Sequence, residues 1–298
     1  MKHLLSIEQL NRADMEQLLA AAAVMKRERG RHPTKPLAGQ TWALIFSKSS
    51  TRTRVSFEVG IAELGGRPMF LSAVDIQLGR GEPVKDTARV LGRMVQGAIF
   101  RTFAQRDVEE FAHYSGIPTI NALTDEEHPC QILADVLTIE EKLASLAGKV
   151  VAFIGDGACN VANSWIFAAA KLGFELRIAA PQEFQPDPAL LQRAGGKVVC
   201  TADLASAARG ADVLYTDVWV SMGKEDESAE RIKALAGYQI NQTVVQLAKP
   251  GALVMHCLPA YRGKEIDDET FEANAETIFT QAENRLHAQK AILQWAVA

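Results

Sequence analysis

Thr41-Trp-Ala-Leu-Ile-Phe-Ser-Lys-Ser-Ser-Thr-Arg-Thr-Arg-Val-Ser-Phe-Glu-Val-Gly-Ile-Ala-Glu-Leu-Gly-Gly66 is the stretch on which the fold turns. The run Thr41 to Phe46 is β-branched and aromatic, which predicts a strand. After a short polar loop, Phe57, Ile61 and Leu64 recur at i, i+4 and i+7, the spacing of one helix face, and Gly65-Gly66 stops the helix. Strand, loop, helix and stop in this order is one unit of an α/β chain with parallel strands.

The same alternation continues outward. Upstream, Ser6 with Gln9 reads as a capping box, and Leu10 to Arg29, rich in Ala and Leu and basic at Lys26, Arg27 and Arg29, predicts a helix. Downstream, Ala98 to Phe100 and Pro118 to Ile120 read as strands, Asp107 to Ser115 as a helix, and Pro129 to Leu146 as a long helix with Gly148 beyond it. The rhythm restarts with strands at Lys149 to Ile154, Glu175 to Ala180 and Lys197 to Cys200, and helices at Asn163 to Leu172 and Ala189 to Ala194. Val213 to Thr216 and Ala252 to His256 predict further buried strands, and Glu225 to Glu230 an acidic patch in a loop. The expected class is α/β with two doubly wound parallel-sheet domains. Their boundary falls near residues 140 to 149, where no Gly/Ser linker occurs, so the long helix itself bridges the domains and they move as bodies about it.

Composition narrows the function classes. A chain of 298 residues, 48% hydrophobic and 23% charged, has the length of about two domains and the balance of a folded chain. With 32 Lys plus Arg against 36 Asp plus Glu, the net charge of -4 supplies no global field for nucleic acid or an anionic membrane, so any anion is caught locally. Cys130, Cys159, Cys200 and Cys257 lie far apart without a C-x-x-C pair, which argues against a disulfide framework or zinc ribbon and for a reducing, cytoplasmic setting. The apolar stretch Leu18 to Met25 is too short to span a bilayer, and neither a signal peptide nor a transmembrane helix is expected.

Four segments carry chemistry. Ser49-Ser-Thr-Arg-Thr-Arg54 opens a helix after a buried strand, where unpaired N–H groups and the dipole favour an anion and disfavour two arginines left without one. The competing reading is an ordinary Ser50 or Thr51 cap with solvated arginines. In His128-Pro-Cys-Gln131, Pro129 suits the first helical turn and puts His128 and Gln131 at a strand's C-terminal crevice, as donors and acceptor for a carbonyl and an amide; a purely structural histidine competes. Gly155-Asp-Gly157 resembles a dinucleotide fingerprint, but Asn160 replaces its third glycine and the strand ending at Ala180 lacks the ribose-binding acid, which argues against nicotinamide. Asp217-Val-Trp-Val-Ser-Met-Gly223 and His256-Cys-Leu-Pro259 each follow a strand. Cys257 is a candidate catalytic thiol or a small buried hydrophobe, and strand alternation should keep His256 and Cys257 from one zinc ion.

Ser-Ser-Thr-Arg-Thr-Arg-x-Ser-Phe-Glu from Ser49, His-Pro-Cys-Gln-x-Leu-Ala-Asp from His128, Asp-Val-Trp-x-Ser-Met-Gly from Asp217 and His-Cys-Leu-Pro from His256 occur in this order across the chain. Together they resemble the aspartate/ornithine transcarbamylase family, on its ornithine branch. The resemblance extends to Gln77, Lys85 to Arg89, Phe100-Arg101, Asp156 to Asn163 and Gln281 to Arg285; Cys159 departs, standing where the family often has Asn. It implies an enzyme that transfers the carbamoyl group of carbamoyl phosphate to the side-chain amine of L-ornithine, giving citrulline and phosphate, without metal or organic cofactor, in arginine metabolism. It implies a carbamoyl-phosphate domain over residues 1–140, completed by the C-terminal helix 281–298 packing back on it, and an ornithine domain over residues 141–280. Ser50, Thr51, Arg52 and Thr53 match the phosphate cradle, Arg101, His128 and Gln131 the carbamoyl contacts, Leu258 a backbone carbonyl for the carbamoyl NH2, and Arg285 a contact from the last helix. Asn160, Asp217, Ser221 and Met222 match the ornithine contacts; Cys257 sits beside the reacting amine, with Asp217 to orient it. The family forms trimers in which Gln77 and Lys85 complete a neighbour's site.

The rivals are a transcarbamylase for aspartate, putrescine or acetylornithine, and a non-catalytic anion-sensing module. Ser221-Met-Gly223 with Asp217 suits an α-amino acid head group, whereas a second carboxylate needs basic residues and Lys224 alone is near. Loss of Arg101, His128 or Cys257 would mark the module; all are present.

Overall fold

The computed structural model describes residues 2–221, 223 and 225–298, and the chain divides into two units, Met1–Leu137 with Asn284–Ala298, and Thr138–Glu283. The first unit opens with α1 (Arg12–Arg27), where Asn11 accepts the Asp14 N–H and the Asp14 carboxylate accepts the Asn11 N–H. Ser6 does accept the Gln9 N–H at 3.1 Å, as the sequence predicts, but only a turn forms there. The helix waits for the reciprocal Asn11 and Asp14 cap, which satisfies two orphan donors at once.

Then follow β1 (Thr41–Phe46), α2 (Thr51–Glu63), β2 (Arg67–Ser72), α3 (Val84–Leu91), β3 (Gly97–Arg101), α4 (Gln105–Ser115), β4 (Thr119–Leu123) and α5 (Pro129–Leu143). All strand pairs are parallel and the order is β2-β1-β3-β4. Strands β1 and β3 are buried along their length because helices cover both faces, and Ala43, Ile45, Ala98 and Phe100 pack against Val108 and Phe111. Strand β2 escapes a reading by buried runs: it lies at the edge, exposes Arg67 and Met69, and contains Pro68, whose missing N–H an edge tolerates. Ala144, at φ 64°, ends α5 before the predicted Leu146.

The second unit takes up the chain within α5 and adds β5 (Val150–Ile154), α6 (Asn160–Leu172), β6 (Glu175–Ala179), α7 (Pro188–Ala194), β7 (Lys197–Thr201), α8 (Leu204–Ala208), β8 (Val213–Thr216), α9 (Ser228–Leu235), α10 (Gln242–Val245), β9 (Leu253–His256), α11 (Asp268–Ala273) and α12 (Ala275–Val297). Its parallel sheet runs β7-β6-β5-β8-β9 over a core that includes Ile154, Leu214, Val254 and Phe271. Part of the acidic patch expected as loop is helical, since α9 begins at Ser228. The last turns of α12 return to the first unit, where Lys290 contacts Gly60 of α2 and Lys26 of α1 bonds Asn284 at 2.8 Å.

Candidate functional site

Each sheet reverses its winding once, between β1 and β3 in the first unit and between β5 and β8 in the second, and ligands of open parallel sheets sit beyond the strand C-termini at such points. In the first unit the loop after β1 leads into α2, whose N-cap Ser50 accepts the Thr53 N–H at 3.3 Å and whose first turn has no acidic residue. Arg54 follows the solvated reading, pairing with Glu58 at 2.9 Å and lying over Phe70 at 3.7 Å. Among the described residues Arg52 has no such partner, and its charge bears on Arg101, at the end of β3.

Arg101 is only 4% exposed, and its Nε has no hydrogen-bond partner among the described residues. Burial, with Arg285 and Arg52 adding repulsion, brings its guanidinium down to about 9. From α12, Arg285 donates to Gln131 Oε1 at 2.6 Å and to Thr53 Oγ1 at 3.0 Å, tying the last helix to α5 and to the start of α2. The His128 carbonyl accepts the first helical N–H groups of α5, from Gln131 at 3.0 Å and Ile132 at 3.3 Å. Burial, then Arg285 and Arg101, hold the His128 imidazole well below its ordinary range, so it is neutral at physiological pH. A neutral ring among guanidinium groups can donate a hydrogen bond to a carbonyl. Buried Cys130 is pushed up to about 12 and is chemically quiet. Exposed Gln77 opens a one-turn helix, Gln77–Arg80.

In the second unit Asn160 is the first residue of α6, capped by the departing Cys159, whose sulfur accepts the Ala162 N–H at 3.5 Å. Asp217 follows β8, and its Oδ1 accepts the Val218 N–H at 2.7 Å and the Cys257 thiol at 2.8 Å. Removal from water raises the Asp217 carboxyl above its usual range, against those two hydrogen bonds. Leu258, at φ 61°, turns the chain after β9, and its N–H donates to His256 Nδ1 at 2.8 Å. The His256 proton is therefore on Nε2, facing Glu265 Oε1 at 3.1 Å. The expectation that alternation separates His256 from Cys257 is corrected: β9 ends at His256, and donor atoms of Asp217, His256 and Cys257 lie within 4.8 Å of one another. Both His256 nitrogens already serve protein partners, so the cluster reads as a hydrogen-bond network. Ser221 directly follows a bend at residues 219–220, whereas Met222 and Lys224 lie outside the described residues.

Gly157 has a packing reason that disposes of the dinucleotide likeness: an added Cβ would come 2.6 Å from Ile178 Cγ2 and 2.9 Å from the Phe184 carbonyl, so the chain itself covers the loop. Sequence reasoning missed Arg231 of α9, which donates to the Trp219 carbonyl at 2.9 Å, pairs with buried Asp156 and lies over Phe184 at 4.7 Å. It thus ties the Asp217–Ser221 segment to the loop before Asn160. Arg231→Met should cost about 3–5 kcal/mol, since it strands a buried carboxylate, and the loss in urea unfolding should be larger at neutral than at acid pH, where Asp156, raised by burial, takes up a proton.

Residues 2–141 match the family model described as aspartate/ornithine carbamoyltransferase, carbamoyl-P binding domain, and residues 147–296 the model for its Asp/Orn binding domain. The ornithine carbamoyltransferase of Akkermansia muciniphila is 58% identical over 98% of this chain and 97% of its own. That of a Sulfurovum species is 49% identical over 99% and 98%. The crystal structure of the anabolic ornithine carbamoyltransferase from Campylobacter jejuni superposes with a TM-score of 0.94 at 43% identity, covering 99% of each chain.

Proposed function

Since the chain belongs to the aspartate/ornithine carbamoyltransferase family, we propose that it transfers the carbamoyl group of carbamoyl phosphate to the side-chain amine of L-ornithine, forming L-citrulline and phosphate. The observation that carries this reading is the buried Arg101 guanidinium with an unpartnered Nε beside Arg52, Arg285 and a neutral imidazole: a positive, partly unsatisfied cluster that an anionic acyl donor completes.

In this reading Ser50, Thr51, Arg52 and Thr53 hold the phosphate at the α2 N-terminus. Arg101 and His128 donate to the carbamoyl oxygen as it gains charge, Gln131 and Arg285 flank it, and the Leu258 carbonyl receives the carbamoyl NH2. Asn160, Asp217, Ser221 and Met222 hold ornithine. Its amine, with an ordinary pKa of about 10.4, must shed a proton to attack, and Asp217 with Cys257 accepts its N–H groups and orients the lone pair. The neutral amine nitrogen bonds to the carbamoyl carbon, the carbon–oxygen bond to phosphate breaks with its electron pair going to the phosphate oxygen, and the extra proton on the attacking nitrogen leaves with the phosphate.

We further read the chain as a cytoplasmic enzyme of arginine biosynthesis that forms a homotrimer in which Gln77 reaches a neighbouring site. Four free cysteines suit a reducing compartment, and exposed Val74 and Met94, 80% and 68% accessible, suit a covered surface. The test is citrulline formation from carbamoyl phosphate with ornithine, aspartate, putrescine and acetylornithine as competing acceptors. Turnover with ornithine at least 100-fold above the others is expected, by the cost of leaving buried head-group partners unpaired; preference for another acceptor overturns the assignment.

A further inference from the structure

Gln131 and Asp135 are one turn apart on α5, 1% and 0% exposed, and the Gln131 Nε2 donates to Asp135 Oδ1 at 2.7 Å. The other end of the same amide, Oε1, accepts from Arg285 at 2.6 Å, and Arg285 continues to Thr53 Oγ1 at 3.0 Å. A glutamine amide can present either end to a neighbour, but an ionised carboxylate only accepts and a guanidinium only donates. With a carboxylate on one side and a guanidinium on the other, a single orientation satisfies both, and the alternative sets N–H against N–H and oxygen against oxygen.

We propose that Asp135 is a positioning residue for the carbamoyl-phosphate site: it locks the Gln131 amide with its oxygen toward Arg285, and so holds the Arg285 guanidinium on Thr53 at the start of the phosphate-binding helix turn. This inference rests on the functional reading above for the identity of the anion. It also answers an electrostatic problem. Arg285 and Arg52 each repel Arg101, and an acceptor on Arg285 holds its guanidinium against that repulsion. The amide supplies that acceptor, its N–H end held by the buried Asp135 carboxyl one helical turn away. Through Gln131, Asp135 is linked to Arg285 and Thr53 of the anion-binding half, so its effect should fall on anion binding.

The test uses the full-length protein and inorganic phosphate as the probe, read as the inhibition constant against carbamoyl phosphate, beside the Michaelis constant for ornithine and a thermal melt. Asp135→Asn can present either end to Gln131, which releases the lock, and phosphate affinity should fall about tenfold or more, the scale of one charge-assisted hydrogen bond, with the ornithine constant within twofold. The exchange Gln131→Glu with Asp135→Asn moves the carboxylate to position 131 and the amide to 135: the guanidinium again meets an acceptor and the acceptor again meets an N–H, at unchanged net charge. Phosphate affinity in this double variant should return to within about threefold of the parent. Phosphate affinity of Asp135→Asn within twofold of the parent, or a folded exchange variant no better than Asp135→Asn, overturns the proposal. Should Asp135→Asn alone not fold, the exchange variant is compared with Arg285→Lys: stronger phosphate binding by the exchange supports the lock, while equal or weaker binding, or failure of the exchange to fold, sinks it. If the unaltered protein does not bind phosphate at all, the functional reading fails and not the lock.

Discussion

Arg52→Ala is expected to lower kcat/KM for carbamoyl phosphate by about 10²–10³-fold without destabilising the protein. A charge-assisted hydrogen bond to phosphate is worth roughly 1.5–3 kcal/mol, and a preplaced donor adds more as charge develops on the reacting group. Stability should move the other way. Arg52 sits in the first turn of a helix that has no acidic residue there, so its charge opposes the dipole by about 0.3–1 kcal/mol, and alanine relieves the conflict. Arg54→Ala is the control, since its guanidinium is spent on Glu58 and Phe70. Steady-state kinetics and thermal melts of the two variants decide the matter: a destabilised Arg52→Ala with normal carbamoyl phosphate kinetics assigns Arg52 to the scaffold.

Asp217→Asn should cost about 10²–10³-fold in kcat/KM for ornithine, the scale of a lost positioned acid–base group, with the carbamoyl phosphate constant little changed. The amide oxygen can still accept from the Cys257 thiol and the Val218 N–H, so the local geometry survives. Its effect on stability has a definite sign. Because burial raises the folded-state pKa of Asp217, the folded form holds its proton more tightly than the unfolded chain. The stability linked to that proton is present below the unfolded pKa and lost as pH rises through the folded value. Asparagine carries no such charge, so its melting temperature relative to the parent should rise between acid and neutral pH. A difference that stays flat or falls over that interval contradicts a desolvated, costly Asp217 carboxylate.

The positions that local chemistry marks were legible from the chain alone. Strands β1, β3, β5, β8 and β9 announce themselves as apolar runs because a parallel sheet is covered on both faces. The proposed Ser50–Thr53 cradle is legible because a helix N-terminus is a local object: four consecutive residues supply the cap, the N–H groups and the cation. The edge strand β2 was not legible, since an edge exposes alternate residues and admits Pro68. Local chemistry also singled out His128, Asp217 and Cys257, and the family motifs added Arg101, yet neither says what holds those groups.

Tertiary structure alone decided the partnerships. Arg285 meets Gln131 across 154 residues of chain, and Arg231 meets Asp156 across 75, distances over which no periodicity carries information. The turn at Leu258 that brings Cys257 to Asp217 depends on where β9 stops pairing, and strand alternation could not foresee it. Two arginines of one motif part company for the same reason: on the line of sequence Arg52 and Arg54 are equivalent, and only the neighbours that the fold supplies give Arg54 its Glu58 and Phe70 while leaving Arg52 to the repulsion of Arg101. Local sequence determines which groups are available and on which element, because caps, dipoles and periodicity act within a turn or two. Which of those groups is satisfied, repelled or held ready for a ligand is set by desolvation and by contacts between distant segments, and these exist only once the chain has folded.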